Sequence, residues 1–188
     1  MAETNRSAST PLERHRGYLL LLAQMRLDQR FQGKLDASDI VQQTLLKAHE
    51  AQEQWRGQTP AELAAWLRQI LVRTIADAMR DLRRAKRNVG RERSLEDAVA
   101  NSSCRLEAWL SAEQPSPSGM AARHEQLLRL ADALLGLPEP QRAALFLRHC
   151  EDLTLEEIGE RLGRSPAAVA SLLRRGLKAL RGQLTEEA

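Results

Sequence analysis

Apolar residues return along most of this chain every three to four positions, the interval that gathers them on one side of an α-helix. In "DASDIVQQTLLKAHE", Ile40, Val41, Thr44, Leu45 and Ala48 make such a side, and Asp39, Gln42, Gln43 and Leu46 project opposite it. The pattern predicts a first helix from about Pro11 to Arg30 and a second from about Asp39 to Gln54. "GKLDAS" separates them, with Gly33 and Asp36 supplying the turn chemistry. "RGQTPAEL" interrupts next, and Thr59, Pro60 and Glu62 form a capping box with proline at the first helical position. A long helix then runs through Trp66, Ile70 and Asp77 to about Arg87, ending near Gly90.

The period fades between Asn88 and Gly119, where "NSSCRLEAWLSAEQPSPSG" sets a short apolar island at Leu106, Trp109 and Leu110 among serines and prolines. That composition reads as an interdomain linker. Periodicity resumes at Leu127, Leu130, Ala131, Leu134 and Leu135, stops at Gly136, and restarts after "LPEPQ" through Ala144 to His149. The expected fold is all-α: two small helical domains, residues 1–90 and 123–188, joined by a linker over 91–122.

The last stretch has the most local signal. Thr154 and Glu157 make a second capping box, Leu155, Ile158 and Leu162 line one side of the helix it starts, and Gly163 ends that helix. Ser165 and Pro166 open another at once, which gives a helix-turn-helix, a motif whose second helix commonly enters the major groove. At about 100° per residue, Val169, Leu173, Leu177, Leu180 and Leu184 share the packing side. Ala167, Ser171, Arg174, Arg175 and Lys178 share the other. Small residues near the start, Ser165, Ala167 and Ala168 among them, permit close approach, and the cations can reach phosphates or base edges. A cation-rich helix end also complements its own dipole, but the turn, the caps and the charge asymmetry together favour nucleic acid.

Composition narrows the function classes. The net charge of +3 is small for 188 residues, so its placement carries the information. Nine cations against three anions lie between Trp66 and Arg93, with Arg73, Arg80, Arg84 and Arg87 at helical spacing and Arg83 and Lys86 beside them. Leu63, Leu67, Ile70, Leu71 and Ala78 fall across that helix, leaving the cations to follow a phosphate backbone or simply to meet water. Trp55 and Trp66 flank the turn before it. Trp66 has core spacing, whereas Trp55, near a loop, is open to a core role or to stacking on an extruded base. The neutral stripe of Asp39, Gln42, Gln43 and Leu46 suits a protein interface, with one leucine as anchor and amides for directional hydrogen bonds. Solvation of that stripe is the alternative.

Catalytic and metal chemistry find little support. Cys104 and Cys150 form no CxxC pair, and His15, His49, His124 and His149 have neither HxxxH nor HExxH spacing. There is no glycine-rich phosphate loop, and Asp39, Asp77 and Asp81 are explained by helix patterns. No cofactor and no metal are expected. "YLLLLA" falls far short of the roughly 18 apolar residues a membrane span needs, and nothing resembles a secretion signal, so a cytoplasmic protein without membrane insertion is expected.

Taken in order, these segments resemble an extracytoplasmic-function sigma factor of bacterial RNA polymerase, over nearly the whole chain. "DASDIVQQTLLKAHE" resembles the family segment that grips the clamp helices of the largest polymerase subunit, and "AAWLRQILVRTIADAMRDLRRAKR" the segment that engages the minus-ten promoter element. "LPEPQRAALFLRHCEDLTLEEIGERLGRSPAAVASLLRRGLKAL" is similar to the C-terminal domain that reads the minus-thirty-five element.

The resemblance implies polymerase contacts at Asp39, Gln42, Gln43 and Leu46, and minus-ten contacts at Trp55, Arg80, Arg83, Arg84 and Arg87. It implies minus-thirty-five contacts at Ser165, Ala167, Ala168, Ser171, Arg174, Arg175 and Lys178. The partners it implies are core polymerase, through the clamp helices and the flap of the second largest subunit, and promoter DNA, with an anti-sigma protein as a candidate regulator. The sequence departs from the family pattern at Gln43, Arg73, Ala170 and Leu172. The last two stand where the family carries Lys and Arg, which implies lost phosphate contacts. The expected function is promoter recognition and transcription initiation without enzymatic activity. A stand-alone helix-turn-helix regulator binding paired half-sites, and a small metal-dependent nuclease, are the readings it competes with.

Overall fold

The run "YLLLLA" becomes the centre of the molecule because a helix apolar on nearly every side can be covered only by surrounding it. In the computed structural model, which describes residues 11–27, 35–82, 99, 101, 105 and 120–186, this run lies in α1 (Arg16–Arg26). Tyr18, Leu19, Leu21, Leu22 and Ala23 are all buried there. Helices α2 (Ala37–Glu50), α3 (Pro60–Leu82) and α4 (Met120–Leu135) pack around it. Three more helices follow α4, namely α5 (Glu139–His149), α6 (Leu155–Leu162) and α7 (Pro166–Glu186), and the described residues 99, 101 and 105 are also helical. Among the described residues there is no strand, so the all-α expectation holds.

Element starts follow their caps. Asp36 accepts a hydrogen bond from the Ser38 amide at 2.7 Å, so α2 begins at Ala37, two residues before the periodicity places it. Thr59 and Glu62 close their capping box at α3: the Glu62 carboxylate accepts from the Gln58 and Thr59 amides, and the Glu62 amide donates to the Thr59 hydroxyl. At the N-terminus the expected single helix divides. Glu13–His15 is a 3-10 turn, without a side-chain cap at Leu12, before α1 starts at Arg16. The second helix likewise tightens after Glu50 into a 3-10 turn, Gln52–Gln54. α1 ends at Arg26, where Leu27 leaves the helix with a ψ of 89°, short of the expected Arg30, and the expected extension to Arg87 and the Trp109 island lie outside the described residues.

Two apolar clusters hold these helices. The larger joins α1, α2 and α3 to α4 through Leu127, Leu130, Ala131 and Leu134, and extends to Leu145 and Leu180. The smaller contains Ala144, Leu147, Ile158, Val169 and Leu172 and holds α5, α6 and α7 together. Between α6 and α7 the chain turns at Gly163, whose φ of 63° is left-handed and favours glycine. Close packing requires a second glycine: a Cβ on Gly159 would stand 2.6 Å from the Arg164 carbonyl oxygen. The α6 start carries the full Thr154–Glu157 capping box.

Candidate partner and nucleic-acid interfaces

On α2 the division of faces follows the 3.6-residue period. Ile40, Val41, Thr44, Leu45 and Ala48 are buried. Thr44 satisfies its hydroxyl internally, donating to the Ile40 carbonyl at 2.8 Å. Asp39, Gln42 and Gln43 are exposed, and Leu46 is 58% exposed beside them. An apolar side chain this open, on a helix that buries its other leucine, adds nothing to the fold and suits a partner surface.

Lys47 on the same helix reaches Asp77 of α3 at 3.3 Å, and Asp77 also accepts from Arg80 at 2.8 Å. One carboxylate therefore links the α2 surface to Arg80 of the basic helix. Both pairs are exposed, so the arrangement orients Arg80 more than it stabilises the fold. Arg73 is exposed, whereas Arg83, Arg84 and Arg87 lie outside the described residues.

Trp55 is half-buried and meets Trp66 with ring centroids 6.3 Å apart and planes tilted by 33°. Its indole lies over Gly57, where a Cβ would come within 2.7 Å of the ring. Arg56 beside it donates to the carbonyls of Glu53 and Trp55. The two tryptophans thus form one unit: Trp66 packs against the large cluster, as its spacing predicts, and supports a Trp55 that retains an open side.

On α7, Ala167, Arg174, Arg175 and Lys178 are exposed and Ser171 is half-buried, while Val169, Leu172 and Leu180 are buried. The Ser165 hydroxyl oxygen accepts from the Ala168 amide at 3.3 Å and caps the helix, and Ala168 is itself half-buried. Leu172 requires a correction. Rather than marking a lost phosphate contact, it is 6% exposed and sits in the small cluster with Ile158 and Val169, so at this position the side chain is a packing residue. Ala170, by contrast, is exposed.

Spacing also could not reveal a buried polar contact. His15 and His124, 109 residues apart, bring their Nε2 atoms to 2.9 Å, and the exposed Arg14–Glu125 ion pair at 2.5 Å stands next to them. Burial holds both histidines below the ordinary imidazole value of 6.5. Cys150 is buried and its thiol is pushed up to about 12, chiefly by burial, so it stays protonated near neutrality. Among the described residues no group of three or more His, Cys, Asp or Glu could hold a metal ion, and no helix is long and apolar enough to cross a membrane.

Comparison with known proteins gives the family. Residues 13–85 match the family described as Sigma-70 region 2, and residues 127–180 that described as Sigma-70, region 4. The chain is 34% identical over 152 residues to the RNA polymerase sigma factor SigV of Bacillus subtilis, covering 81% of this chain and 78% of that protein. It is 31% identical over 145 residues to the ECF RNA polymerase sigma factor SigF of Caulobacter vibrioides, covering 77% and 69%. It is also 34% identical over 155 residues to the ECF RNA polymerase sigma factor SigG of Mycobacterium tuberculosis, covering 78% of this chain and 41% of the longer relative. The helix-turn-helix with its basic outer face and the α2–α3 pair thus fall in the two matched regions, and the chain belongs to the sigma-70 family, in its extracytoplasmic-function group of RNA polymerase sigma factors.

Proposed function

We propose that the chain serves as a promoter-specificity subunit that docks on core polymerase through α2, with Asp39, Gln42, Gln43 and Leu46 against the clamp helices of the largest subunit. The observation that carries this reading is the 58% exposed Leu46 set among exposed amides, on a helix whose other face is fully buried. The division proposed is a first domain over 1–90, a linker over 91–122 and a C-terminal domain over 123–188, the last also meeting the flap of the second largest subunit.

Trp55, held by Trp66, captures an unpaired minus-ten base while Arg80, Arg83, Arg84 and Arg87 follow the phosphates upstream of it. The α7 face of Ser165, Ala167, Ala168, Ser171, Arg174, Arg175 and Lys178 enters the minus-thirty-five major groove, where Ser165 acts as the helix cap. Neither DNA surface needs to bind strongly, because polymerase presents both at a high effective concentration. The bond-making chemistry belongs to polymerase, and the protein works in the cytoplasm, where an anti-sigma protein is a candidate regulator.

The test is promoter-specific run-off transcription with purified core polymerase. Replacing Gln42→Arg together with Leu46→Glu abolishes core association and transcript while helicity and DNA retention persist. Arg174→Ala with Arg175→Ala leaves core binding intact, weakens upstream promoter contact, and lowers the salt slope by about two. A transcript that needs this protein but survives the α2 substitutions places the polymerase contact elsewhere. Promoter binding without polymerase, on paired half-sites, favours a stand-alone regulator.

A further inference from the structure

We propose that the His15–His124 contact is a proton-sensitive latch, which holds the C-terminal helices closed against the Asp39 end of α2 and loosens on acidification. The latch stands on the geometry alone. Its consequence for polymerase rests on the docking reading above.

The proton inventory is fixed by His15 Nδ1, which lies 2.7 Å from the Pro11 carbonyl oxygen. A carbonyl only accepts, so Nδ1 carries the hydrogen, and in the neutral ring Nε2 is then a bare acceptor. His124 Nε2–H donates to it across 2.9 Å. Both rings are satisfied when both are neutral. A first added proton goes to the unengaged lone pair on His124 Nδ1 and leaves the Nε2–H···Nε2 bond in place. A second leaves two N–H groups facing each other, and the contact fails.

The surroundings oppose that added charge. Arg14 lies in the same 3-10 turn as His15, and Arg68 of α3, which donates to the Tyr18 hydroxyl of α1 at 2.9 Å, acts on His124. Glu125 on α4 is the anion that acts on both histidines, and it is engaged by Arg14 at 2.5 Å and by Arg129 at 3.8 Å; Glu13 shares the 3-10 turn of His15, and the Asp132 carboxylate of α4 stands against Gly17. Desolvation first, and Arg14 among the charges, hold the folded histidines below 6.5. The closed state therefore binds fewer protons than the open one between its lowered values and 6.5. Its stability is complete above that pH and declines as pH falls below it. Each unit of depression is worth about a tenfold change in the open-to-closed ratio. Apolar packing of α4 on α1 keeps the closed form dominant near neutrality, and the histidines make its strength depend on pH.

Closure matters because of what it brings near α2. Asp36 and Asp39 form one wall of a cleft of ≈ 780 Å³, and Arg142, Phe146, Arg161 and Leu162 of α5 and α6 form the opposite wall. A partner helix laid along Asp39, Gln42 and Leu46 meets these C-terminal helices at the Asp39 end. Loosening α4 carries them away.

The full chain is compared with a His15→Gln, His124→Gln double variant, whose amides can hydrogen-bond across the contact but cannot titrate. His124→Gln alone serves if the double variant loses helicity. Small-angle scattering at about pH 7.5 and about pH 5.5 reads the radius of gyration, with helicity as a control. The wild type expands at the lower pH with helicity intact, and the variant does not. An unchanged wild-type radius, or equal expansion of the variant, overturns the latch. Affinity for core polymerase, measured in parallel, rises several-fold relative to the variant at the lower pH. Equal affinities with a working scattering switch overturn the occlusion and keep the latch. Absence of polymerase binding in both proteins overturns the docking reading, while the scattering result still decides the latch.

Discussion

The two apolar clusters solve the same problem at different scales. The larger surrounds α1 with three helices and fully buries Tyr18, Leu19, Leu22, Leu67, Leu71 and Ile75, each at 0% exposure. Among the described residues the smaller has Ala144, Leu147, Ile158, Val169 and Leu172 as its buried members. A cluster that small buries too little apolar area to fix three helices: α5 and α7 also reach the larger cluster through Leu145 and Leu180, and local devices supply the rest at α6. Those devices are the Thr154–Glu157 box, the left-handed Gly163 and the close approach at Gly159. The α2 surface proposed for docking is thus mounted on a deep core, and the helix-turn-helix face proposed for DNA on a shallower core reinforced by caps and turns.

The strongest way to break this comparison is to remove equal volume from each core. Leu71→Ala leaves a cavity enclosed on all sides and costs about 3 to 5 kcal/mol, whereas Ile158→Ala opens a site whose neighbours can settle inward and costs about 2 to 3 kcal/mol. Urea unfolding followed by far-ultraviolet dichroism measures both. If Ile158→Ala costs as much as Leu71→Ala, the small cluster is as rigidly enclosed as the large one.

Next in size is Gly159→Ala. The new methyl would press on the Arg164 carbonyl at 2.6 Å, in the turn that the Arg164 amide closes by donating to the Gly159 carbonyl at 2.8 Å. We expect a loss of about 1 to 3 kcal/mol, confined to α6 and α7. Amide exchange resolved by residue checks it: faster exchange in the helix-turn-helix with unchanged protection in α1 and α3 is the expected pattern. Uniform loss through the chain makes the two clusters one cooperative unit.

These differences decide what could be read from the chain. Strict periodicity made the buried face of α2 legible, though not the ends of the helix, because Ile40, Val41, Thr44, Leu45 and Ala48 answer to one deep core on one side. The α6 caps and Gly163 were equally legible, being local signals that act within four residues. Leu172 was not, because a resemblance assigned it to the DNA side while the neighbouring cluster draws its side chain inward. The 3-10 start at Glu13–His15 escaped for a tertiary reason: His15 is fixed by Pro11 and by His124, and the second partner is 109 residues away. No window of periodicity spans that separation.

A smaller effect sharpens the contrast at the caps. Thr154→Ala removes the hydroxyl that accepts from the Glu157 amide at 3.3 Å and costs about 1 kcal/mol. The loss falls on the eight-residue α6, which has little else to start it. Thermal unfolding should shift by a few degrees (~4). A shift within error would mean that packing of Ile158 alone places the helix.

The smallest effect concerns protons on the two capping boxes. Glu157 is held below its ordinary value of 4.5 by the Thr154 amide first and then the Thr154 hydroxyl, and Glu62 likewise by the amides of Gln58 and Thr59 and the Thr59 hydroxyl. A depressed carboxylate gives stability that is present above 4.5 and lost as pH falls through the lower folded value. Both boxes weaken in acid, but α3 has a 23-residue helix on the large core behind its cap and α6 does not. Acid should therefore loosen α6 before α3. Glu157→Gln keeps an oxygen to accept the Thr154 amide and has no proton to gain. It should flatten the acid dependence of amide exchange in α6, while Glu62→Gln leaves the α6 profile unchanged. An α6 profile as steep in Glu157→Gln as in the wild type would assign the acid sensitivity of the helix-turn-helix to another group.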